Sequence, residues 1–201
     1  MKVVKIIIAD INHFKADSEQ ILSQIAPSYV EKYKSCTIQT DARQELVSGL
    51  LLKQYLGIER DDQLTYNPYN KPFLVSKTKY YNISHSSDYV VLAIADCNVG
   101  IDVEKITTYY EPTVKKIFNS RQKEQLHKID GEKKDEMFTK IWTEYEAMLK
   151  LKGTGFVEAW DKEKKPVYNC SIFTLKIDDY FITCATEKKV SVVTEKYLLP
   201  N

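Results

Sequence analysis

The stretch from residue 80 to residue 106 constrains the fold of this chain most strongly. It reads YYNISHSSDYVVLAIADCNVGIDVEKI, with β-branched and aromatic runs separated by Ser-Ser-Asp and Asp-Cys-Asn. Runs of this composition, bounded by small polar residues, are typical of strands joined by tight turns. We therefore predict three consecutive strands, as in a small antiparallel sheet.

Helical patterns flank this stretch. Apolar residues at helical spacing are preceded by capping residues such as Asp17 and Thr40 and followed by Gly57 and Gly153. The predicted helices cover 17–26 (closed by Pro27), 40–57, 114–129 (with a break at 119–120) and 130–155. The predicted strands outside the central stretch cover 2–11, 166–177, 180–186 and 190–194, and residues 64–75 are expected to form a loop or an edge.

Two stretches of the chain resemble each other, as two related halves would. Residues 88–104, DYVVLAIADCNVGIDVE, can be placed without a gap over residues 179–195, DYFITCATEKKVSVVTE, with four identities. Five of the other thirteen positions pair apolar with apolar, so either a duplication or a chance likeness of two hairpins explains the match. In this overlay Asp102 meets Val193, so a duplication would leave the acidic pair in the first copy alone.

The composition excludes several classes of protein. A net charge of +1 over 201 residues gives no strong field for nucleic acid or a membrane surface. No run approaches the roughly 20 apolar residues of a membrane helix, and Lys5 and Asp10 interrupt the N-terminal run, which predicts a strand rather than a signal peptide. The four cysteines form no C-x-x-C pair, so we expect reduced thiols in a cytoplasmic protein.

Asp102 and Glu104 stand in an otherwise apolar strand, VGIDVEKI. Because side chains alternate along a strand, the two carboxylates project from one side while Ile101 and Val103 point to the core. Three explanations stay open: the pair faces water at a strand end, it pairs with lysines such as Lys105, or it holds a hard cation. Mg²⁺ and Mn²⁺ prefer such oxygen ligands.

The long helix at 130–155 offers a third carboxylate. Trp142, Glu146 and Lys150 are spaced four apart, so they lie on one helix face. Two interpretations stay open for this pair. Glu146 and Lys150 could form an ordinary surface ion pair, or Glu146 could be a metal ligand with Lys150 as a catalytic lysine beside it.

The NISHS run at 82–86 carries a third group of polar side chains. His85 could be a core histidine or a surface group whose charge depends on pH. Grouped with Ser84 and with Lys71 of the earlier NKP turn, it would instead provide donors suited to a phosphate.

Four short motifs occur in a fixed order: NKP at 70–72, NISHS at 82–86, VGIDVE at 99–104 and WTEYEAMLK at 142–150. Their order and spacing, over about residues 40–155, resemble the 4′-phosphopantetheinyl transferases of the Sfp-like type, which are duplicated monomers. The resemblance implies an α+β fold with two similar halves, 1–97 and 98–201, related by a pseudo-twofold axis. Each half would pack a helix on a small antiparallel sheet, with the active site in the cleft between them.

The resemblance also implies a reaction. Such enzymes move the phosphopantetheine arm of coenzyme A onto a serine of an apo acyl or peptidyl carrier protein and release 3′,5′-ADP. Mg²⁺ (or Mn²⁺) would be held by Asp102, Glu104 and Glu146. Glu146 would help to remove the serine proton, and Lys150 would reach the pyrophosphate. Contacts with the coenzyme A nucleotide are implied for Lys71, Ser84, His85, Arg43 and Lys32.

Two departures from the family pattern occur. Tyr145 stands where the family has a lysine beside the glutamate, and Asn70 stands where it has a glycine. Asn tolerates left-handed turns, so the turn is expected to survive. The loss of the lysine leaves a second hypothesis open, a coenzyme A-binding relative without transferase activity. A third hypothesis is a metal-dependent phosphodiesterase that uses the same carboxylates.

Overall fold

The structure, a computed structural model, describes residues 2–12, 14, 18–155 and 169–199. Within these residues the helices are α1 (Ser18–Leu22), α2 (Pro27–Ser35), α3 (Gln39–Leu56), α4 (Glu111–Ile117), α5 (Ser120–His127) and α6 (Glu132–Lys152). The strands are β1 (Val3–Asp10), β2 (Leu64–Tyr66), β3 (Pro72–Leu74), β4 (Tyr80–Ser86), β5 (Tyr89–Ala95), β6 (Val99–Lys105), β7 (Ser171–Ile177), β8 (Tyr180–Thr186) and β9 (Ser191–Tyr197). The predicted helix start at Asp17 and the predicted strand residues 166–168 lie outside the described residues.

The larger sheet has the strand order β4-β5-β1-β9. β5 runs antiparallel to both neighbours, with Leu92 opposite Ile7 on β1 and opposite Ile83 on β4. β9 lies parallel to β1, with Val192 opposite Val4.

The second sheet has the order β6-β8-β7 and is antiparallel throughout. β2 and β3 form a separate two-stranded ribbon within the segment that was expected to be a loop or an edge. The three strands predicted over 80–106 are confirmed as β4, β5 and β6. However, β4 and β5 belong to the larger sheet, whereas β6 is an edge strand of the second sheet. The predicted α+β class is confirmed.

The two sheets lie face to face, and helices cover their outer faces. Alternate residues of β1 divide between two cores: Ile7 packs with Leu51 of α3, whereas Ile6 packs with Ile101 and Ile182 of the second sheet. On the far face of the second sheet, α6 packs through Ala147. The chain is therefore layered as helices, sheet, sheet and helix, and β6 lies between the larger sheet and α6.

Several helix boundaries follow the predicted signals, but the predicted cap at Thr40 is wrong: Ile38 holds the cap position of α3, and Thr40 lies inside its first turn. Gly57 and Gly153 end α3 and α6 with φ angles of 66° and 71°, the left-handed region that glycine favours at this position. The break between α4 and α5 occurs at Asn119, whose side chain accepts a hydrogen bond from the backbone of Gln122 and caps α5. The prediction for Pro27 is wrong: α1 stops at Leu22, and Pro27 begins α2. Proline fits the first turn of a helix because no backbone donor is needed there.

The last strand qualifies the expected division at 97 and 98. β9 belongs to the second half by sequence, yet it pairs with β1 of the first half. Each of the two hairpins, β4–β5 and β7–β8, is thus followed by a strand that joins the other sheet. The two similar stretches, 88–104 and 179–195, occupy matching places, because each runs from the second strand of a hairpin into the exchanged strand.

Candidate active site

The acidic side of β6 faces α6. Ile101 and Val103 are buried between the two sheets, as predicted, so Asp102 and Glu104 project from the opposite side. Gly100 lets α6 approach closely, because a Cβ atom built on it would lie 2.2 Å from the carbonyl oxygen of Ala147. The glycine of the VGIDVE motif therefore brings the helix against the strand that carries the carboxylates.

Asp102 is only 1% exposed. Its Oδ1 accepts hydrogen bonds from Lys150 Nζ at 2.5 Å and from Ser84 Oγ at 3.0 Å. Its Oδ2 is buried and has no hydrogen-bond partner within the described part of the chain. Burial raises the pKa of Asp102, and the charge of Lys150 opposes that effect. An unpartnered buried carboxylate oxygen is costly, so this atom marks a place where a cation or a donor fits.

Glu104 is half-buried and held at both oxygens. Its Oε2 accepts a hydrogen bond from Ser86 Oγ at 3.2 Å, and its Oε1 accepts one from the indole nitrogen of Trp142 at 3.4 Å. Burial and the neighbouring charge of Asp102 raise the pKa of Glu104.

Glu146 completes the acidic group. One carboxylate oxygen from each of Asp102, Glu104 and Glu146 lies within 4.8 Å of the others. Burial, followed by the charge of Asp102, raises the pKa of Glu146 to about 8, although Lys150 acts in the opposite direction. Three carboxylates this close repel one another, so the group favours either a bound proton or a bound cation.

These contacts decide between the explanations for the acidic pair. Asp102 does not face water, because it is buried. It does pair with a lysine, but with Lys150 rather than with Lys105, whose ammonium lies 3.8 Å from Asp88 and 3.5 Å from Asp179. The lysine satisfies Oδ1 only, so the cation explanation remains for the rest of the group. Trp142, Glu146 and Lys150 share one face of α6, as the spacing predicts, and all three turn towards β6.

Two cavities that share Lys150 and Asn82 in their linings lie beside the acidic group, and Glu104 and Trp142 line a third, of about 450 Å³. The first, of about 260 Å³, also contains Glu146 and Lys71 in its lining. The second, of about 300 Å³, brings together three predicted contact residues, Lys32, Ser84 and His85. The structure thus places these predicted residues from α2, β4 and α6 around one connected region.

The second cavity also contains a residue that the sequence reading did not assign. Glu45 of α3 lies 3.7 Å from Lys32 Nζ and 3.7 Å from His85 Nε2. His85 is therefore a partly exposed group beside a carboxylate rather than a core histidine. Arg43, on the same helix, is not among the residues that line either of these two cavities.

Lys71 lies at the boundary of the two halves and is only 7% exposed. Its ammonium donates hydrogen bonds to Asn98 Oδ1 at 2.8 Å, to the Val99 carbonyl at 3.1 Å and to the Leu151 carbonyl at 2.9 Å. Burial lowers the pKa of Lys71 to about 8. Its ammonium is therefore committed to the protein itself, between the start of β6 and the end of α6.

The loop before Lys71 supports the same contact. Asn67 donates a hydrogen bond to the carbonyl of Gly153 at 2.7 Å. Asn70, the residue in the family's glycine position, adopts a φ of 64°. The altered turn therefore keeps its left-handed conformation, as expected.

The acidic group fits a divalent cation of the Mg²⁺ class. Its donors are carboxylate oxygens from two elements, and one of them, Asp102 Oδ2, is buried without a partner in the described residues. Carboxylates are the protein ligands that Mg²⁺ and Mn²⁺ take, with further positions left to water or a phosphate.

The segment that carries these three carboxylates is similar to known proteins. Residues 98–196 match the family described as the 4′-phosphopantetheinyl transferase superfamily, a segment that includes all three carboxylates. The chain is 24% identical to the 4′-phosphopantetheinyl transferase Sfp of Bacillus subtilis, over 84% of this chain and 78% of that protein. It is 32% identical to the 4′-phosphopantetheinyl transferase Gsp of Aneurinibacillus migulanus, over 57% of this chain and 50% of that protein.

Residues 98–196, about half of the chain, thus match the 4′-phosphopantetheinyl transferase superfamily, and the relative that is similar over most of the chain carries the same name. The matched segment covers about half of several relatives: 46% of a Synechocystis protein, 50% of Gsp and 49% of the 4′-phosphopantetheinyl transferase HetI of Nostoc. Among the described residues, no helix combines the length and apolar character needed to cross a bilayer.

Proposed function

We propose that this protein transfers 4′-phosphopantetheine from coenzyme A to a serine of an apo acyl or peptidyl carrier protein, and that it requires Mg²⁺. One observation carries the proposal: Asp102, Glu104 and Glu146 converge within 4.8 Å, with a buried, unpartnered Asp102 oxygen in the described structure and Lys150 beside it. The names of the relatives support the transfer of phosphopantetheine as the reaction.

Asp102, Glu104 and Glu146 would hold the cation. When bound, it would neutralise the negative charge of a pyrophosphate and stabilise the charge that develops as the group is transferred. Mn²⁺ has the same preference for oxygen ligands and is expected to substitute.

The proposed chemistry is a displacement at phosphorus. The oxygen of the carrier serine bonds to the phosphorus of the pantetheine phosphate, and the bond from that phosphorus to the bridging oxygen breaks. The leaving group is 3′,5′-ADP. Glu146 would accept the serine proton, directly or through a water, because it adjoins the first cavity and lies next to Lys150 and the other two carboxylates.

Lys150 would bind the pyrophosphate as a point charge. It lines both cavities and lies next to the carboxylates, so its ammonium can exchange an Asp102 contact for a phosphate contact. Lys32 and His85 would contact the nucleotide in the second cavity. Lys71 lines the first cavity, where we assign it a contact through its aliphatic stem and backbone, since its ammonium is occupied by protein acceptors.

Ser84 has a second task in this proposal. Its hydroxyl lies between Lys150 Nζ, at 2.8 Å, and Asp102 Oδ1, at 3.0 Å. It lines the second cavity, yet its contacts are with the cation site. Arg43 is kept as a predicted nucleotide contact from the resemblance, without support from these cavities.

Tyr145 is the feature that favours the alternative, a coenzyme A-binding relative without transferase activity. Its ring is tilted against that of Trp142, with 6.4 Å between the centroids. Burial raises its pKa, so the phenol is neutral near pH 7 and supplies no positive charge beside Glu146. Lys150 is the cation that remains next to the carboxylates, which favours an active enzyme.

Mass spectrometry of a carrier protein separates the hypotheses. The protein is incubated with coenzyme A, Mg²⁺ and several apo carrier proteins, with Asp102→Asn as the matched control. Transfer predicts a carrier heavier by one phosphopantetheine, about 340 Da, from the covalent chemistry, and no shift with the control.

Tight binding of coenzyme A with no shift on any carrier would support the inactive relative. Hydrolysis of coenzyme A without a carrier would support a phosphodiesterase. A monomeric state, a cytoplasmic location and the absence of nucleic-acid or membrane partners remain predictions of the sequence.

A further inference from the structure

β4 and β6 are joined by side chains rather than by a backbone ladder. β4 is an edge strand of the larger sheet, and β6 is an edge strand of the second sheet. Asn82 Oδ1 accepts a hydrogen bond from the Ile101 backbone at 2.8 Å, and Ser84 Oγ accepts one from the Val103 backbone at 3.4 Å. Ser86 Oγ accepts one from the Lys105 backbone, also at 3.4 Å. Alternate side chains of β4 thus meet alternate N–H groups of β6, two residues at a time.

The two serines of this ladder have a further contact. A hydroxyl donates one hydrogen bond and accepts others. Ser84 donates to Asp102 Oδ1 at 3.0 Å, and Ser86 donates to Glu104 Oε2 at 3.2 Å. Each serine therefore accepts from one residue of β6 and donates to the acidic residue just before it.

Glu104 depends more on its serine than Asp102 does. Asp102 is buried and also contacts Lys150, whereas Glu104 is half-buried and can turn towards solvent. The Glu104 carboxylate also accepts a longer hydrogen bond, of 3.4 Å, from the indole nitrogen of Trp142. The hydrogen bond from Ser86 to Oε2 fixes the orientation of the Glu104 carboxylate, and it therefore fixes the directions in which the remaining lone pairs point.

We propose that Ser86 is a positioning residue for the cation site: its hydroxyl, anchored to the Lys105 backbone, holds the Glu104 carboxylate in the orientation that a divalent cation needs. This inference rests on the proposed function, because it takes Glu104 as a cation ligand. Partners that orient metal ligands in this way are commonly worth about 10-fold or more in affinity.

The test measures Mn²⁺ binding by electron paramagnetic resonance, in the absence of coenzyme A and carrier. The variants are Ser86→Ala, Ser86→Val and Ser86→Thr, because valine and threonine have the same shape and differ in the hydroxyl. Ser76→Ala is the control, since that hydroxyl is exposed and shares a hydrogen bond with Thr78, away from the acidic group. We expect Ser86→Ala and Ser86→Val to bind Mn²⁺ about 10-fold more weakly, and Ser86→Thr to bind within about 2-fold of the wild type.

Kinetics provide a second readout. The Mg²⁺ concentration for half-maximal transfer should rise about 10-fold in Ser86→Ala, with kcat recovered at saturating Mg²⁺. If the hydroxyl served only to join the two sheet edges, its removal would lower the folded fraction of the protein instead. Excess Mg²⁺ would then not restore the rate.

Each outcome bears on a separate statement. Equal Mn²⁺ affinity in all variants would overturn the positioning role of Ser86. A loss of Mn²⁺ affinity that Ser86→Thr shares with the other variants would overturn it too. In both cases the transfer activity proposed for the wild type would still stand. A wild type that neither binds Mn²⁺ nor modifies a carrier overturns the proposed function, and the positioning role with it.

Discussion

Substitution of Lys71 by methionine should change how the stability of the protein depends on pH. The ammonium of Lys71 is buried between the halves, and burial lowers its pKa from the usual 10.5 to about 8. Between these values the unfolded chain holds a proton that the folded chain has released. Stability therefore rises with pH across this window, by about 1.4 kcal/mol for each pH unit.

The expected magnitude follows from the two pKa values. From about pH 7.5 to about pH 9.5, the free energy of unfolding of the wild type should rise by about 2 kcal/mol relative to Lys71→Met. Methionine keeps the length of the stem and has no proton to release. Buried tyrosines such as Tyr29 and Tyr81, whose pKa values burial raises, reduce stability at alkaline pH in both proteins. Their effect cancels in the difference.

Urea unfolding at several pH values measures this difference. Lys79→Met is the matched control, because Lys79 is exposed and contacts Asp96 at the surface. Its difference from the wild type should not change over the same window. A constant difference between the wild type and Lys71→Met would refute the reasoning, since it would mean that the three acceptors keep the ammonium charged to the same pH as in the unfolded chain.

Four other perturbations test the site. Gly100→Ala should destabilise the protein by about 1–3 kcal/mol or more in urea unfolding, because its Cβ would meet the α6 backbone; an unchanged midpoint would contradict the close packing. Asp102→Asn should abolish transfer while unfolding stays cooperative, and an active variant would contradict the cation assignment. Tyr145→Lys should transfer at least as fast as the wild type in the carrier mass assay; an inactive variant would give Tyr145 a role of its own. Mn²⁺ binding should strengthen as the pH rises towards about 8, because protonated Glu146 competes with the cation, and a flat titration would speak against Glu146 as a ligand.

Much of the local structure could be predicted because its signals are local. Alternation along β6 separates Ile101 from Asp102, and this depends only on strand geometry. Gly153 ends α6 in the left-handed conformation that the sequence indicates. Pro27 was misassigned because proline is compatible with both the end of one helix and the start of the next.

The sequence by itself determined the local placement of the candidate residues: two carboxylates on one side of a strand, a third on a helix face, and a lysine one turn beyond it. Only the tertiary structure decided how they meet. The approach of α6 to β6 at Gly100, the pairing of Lys150 with Asp102 and the commitment of Lys71 to three protein acceptors all join residues far apart in the chain.

The pairing of β9 with β1 and the hydrogen bonds from β4 side chains to β6 were also beyond the sequence. Periodicity shows which face of an element is buried, but it does not show which other element covers that face. That choice depends on how the two sheets and α6 pack together, and it is this packing that turns separate polar residues into one candidate site.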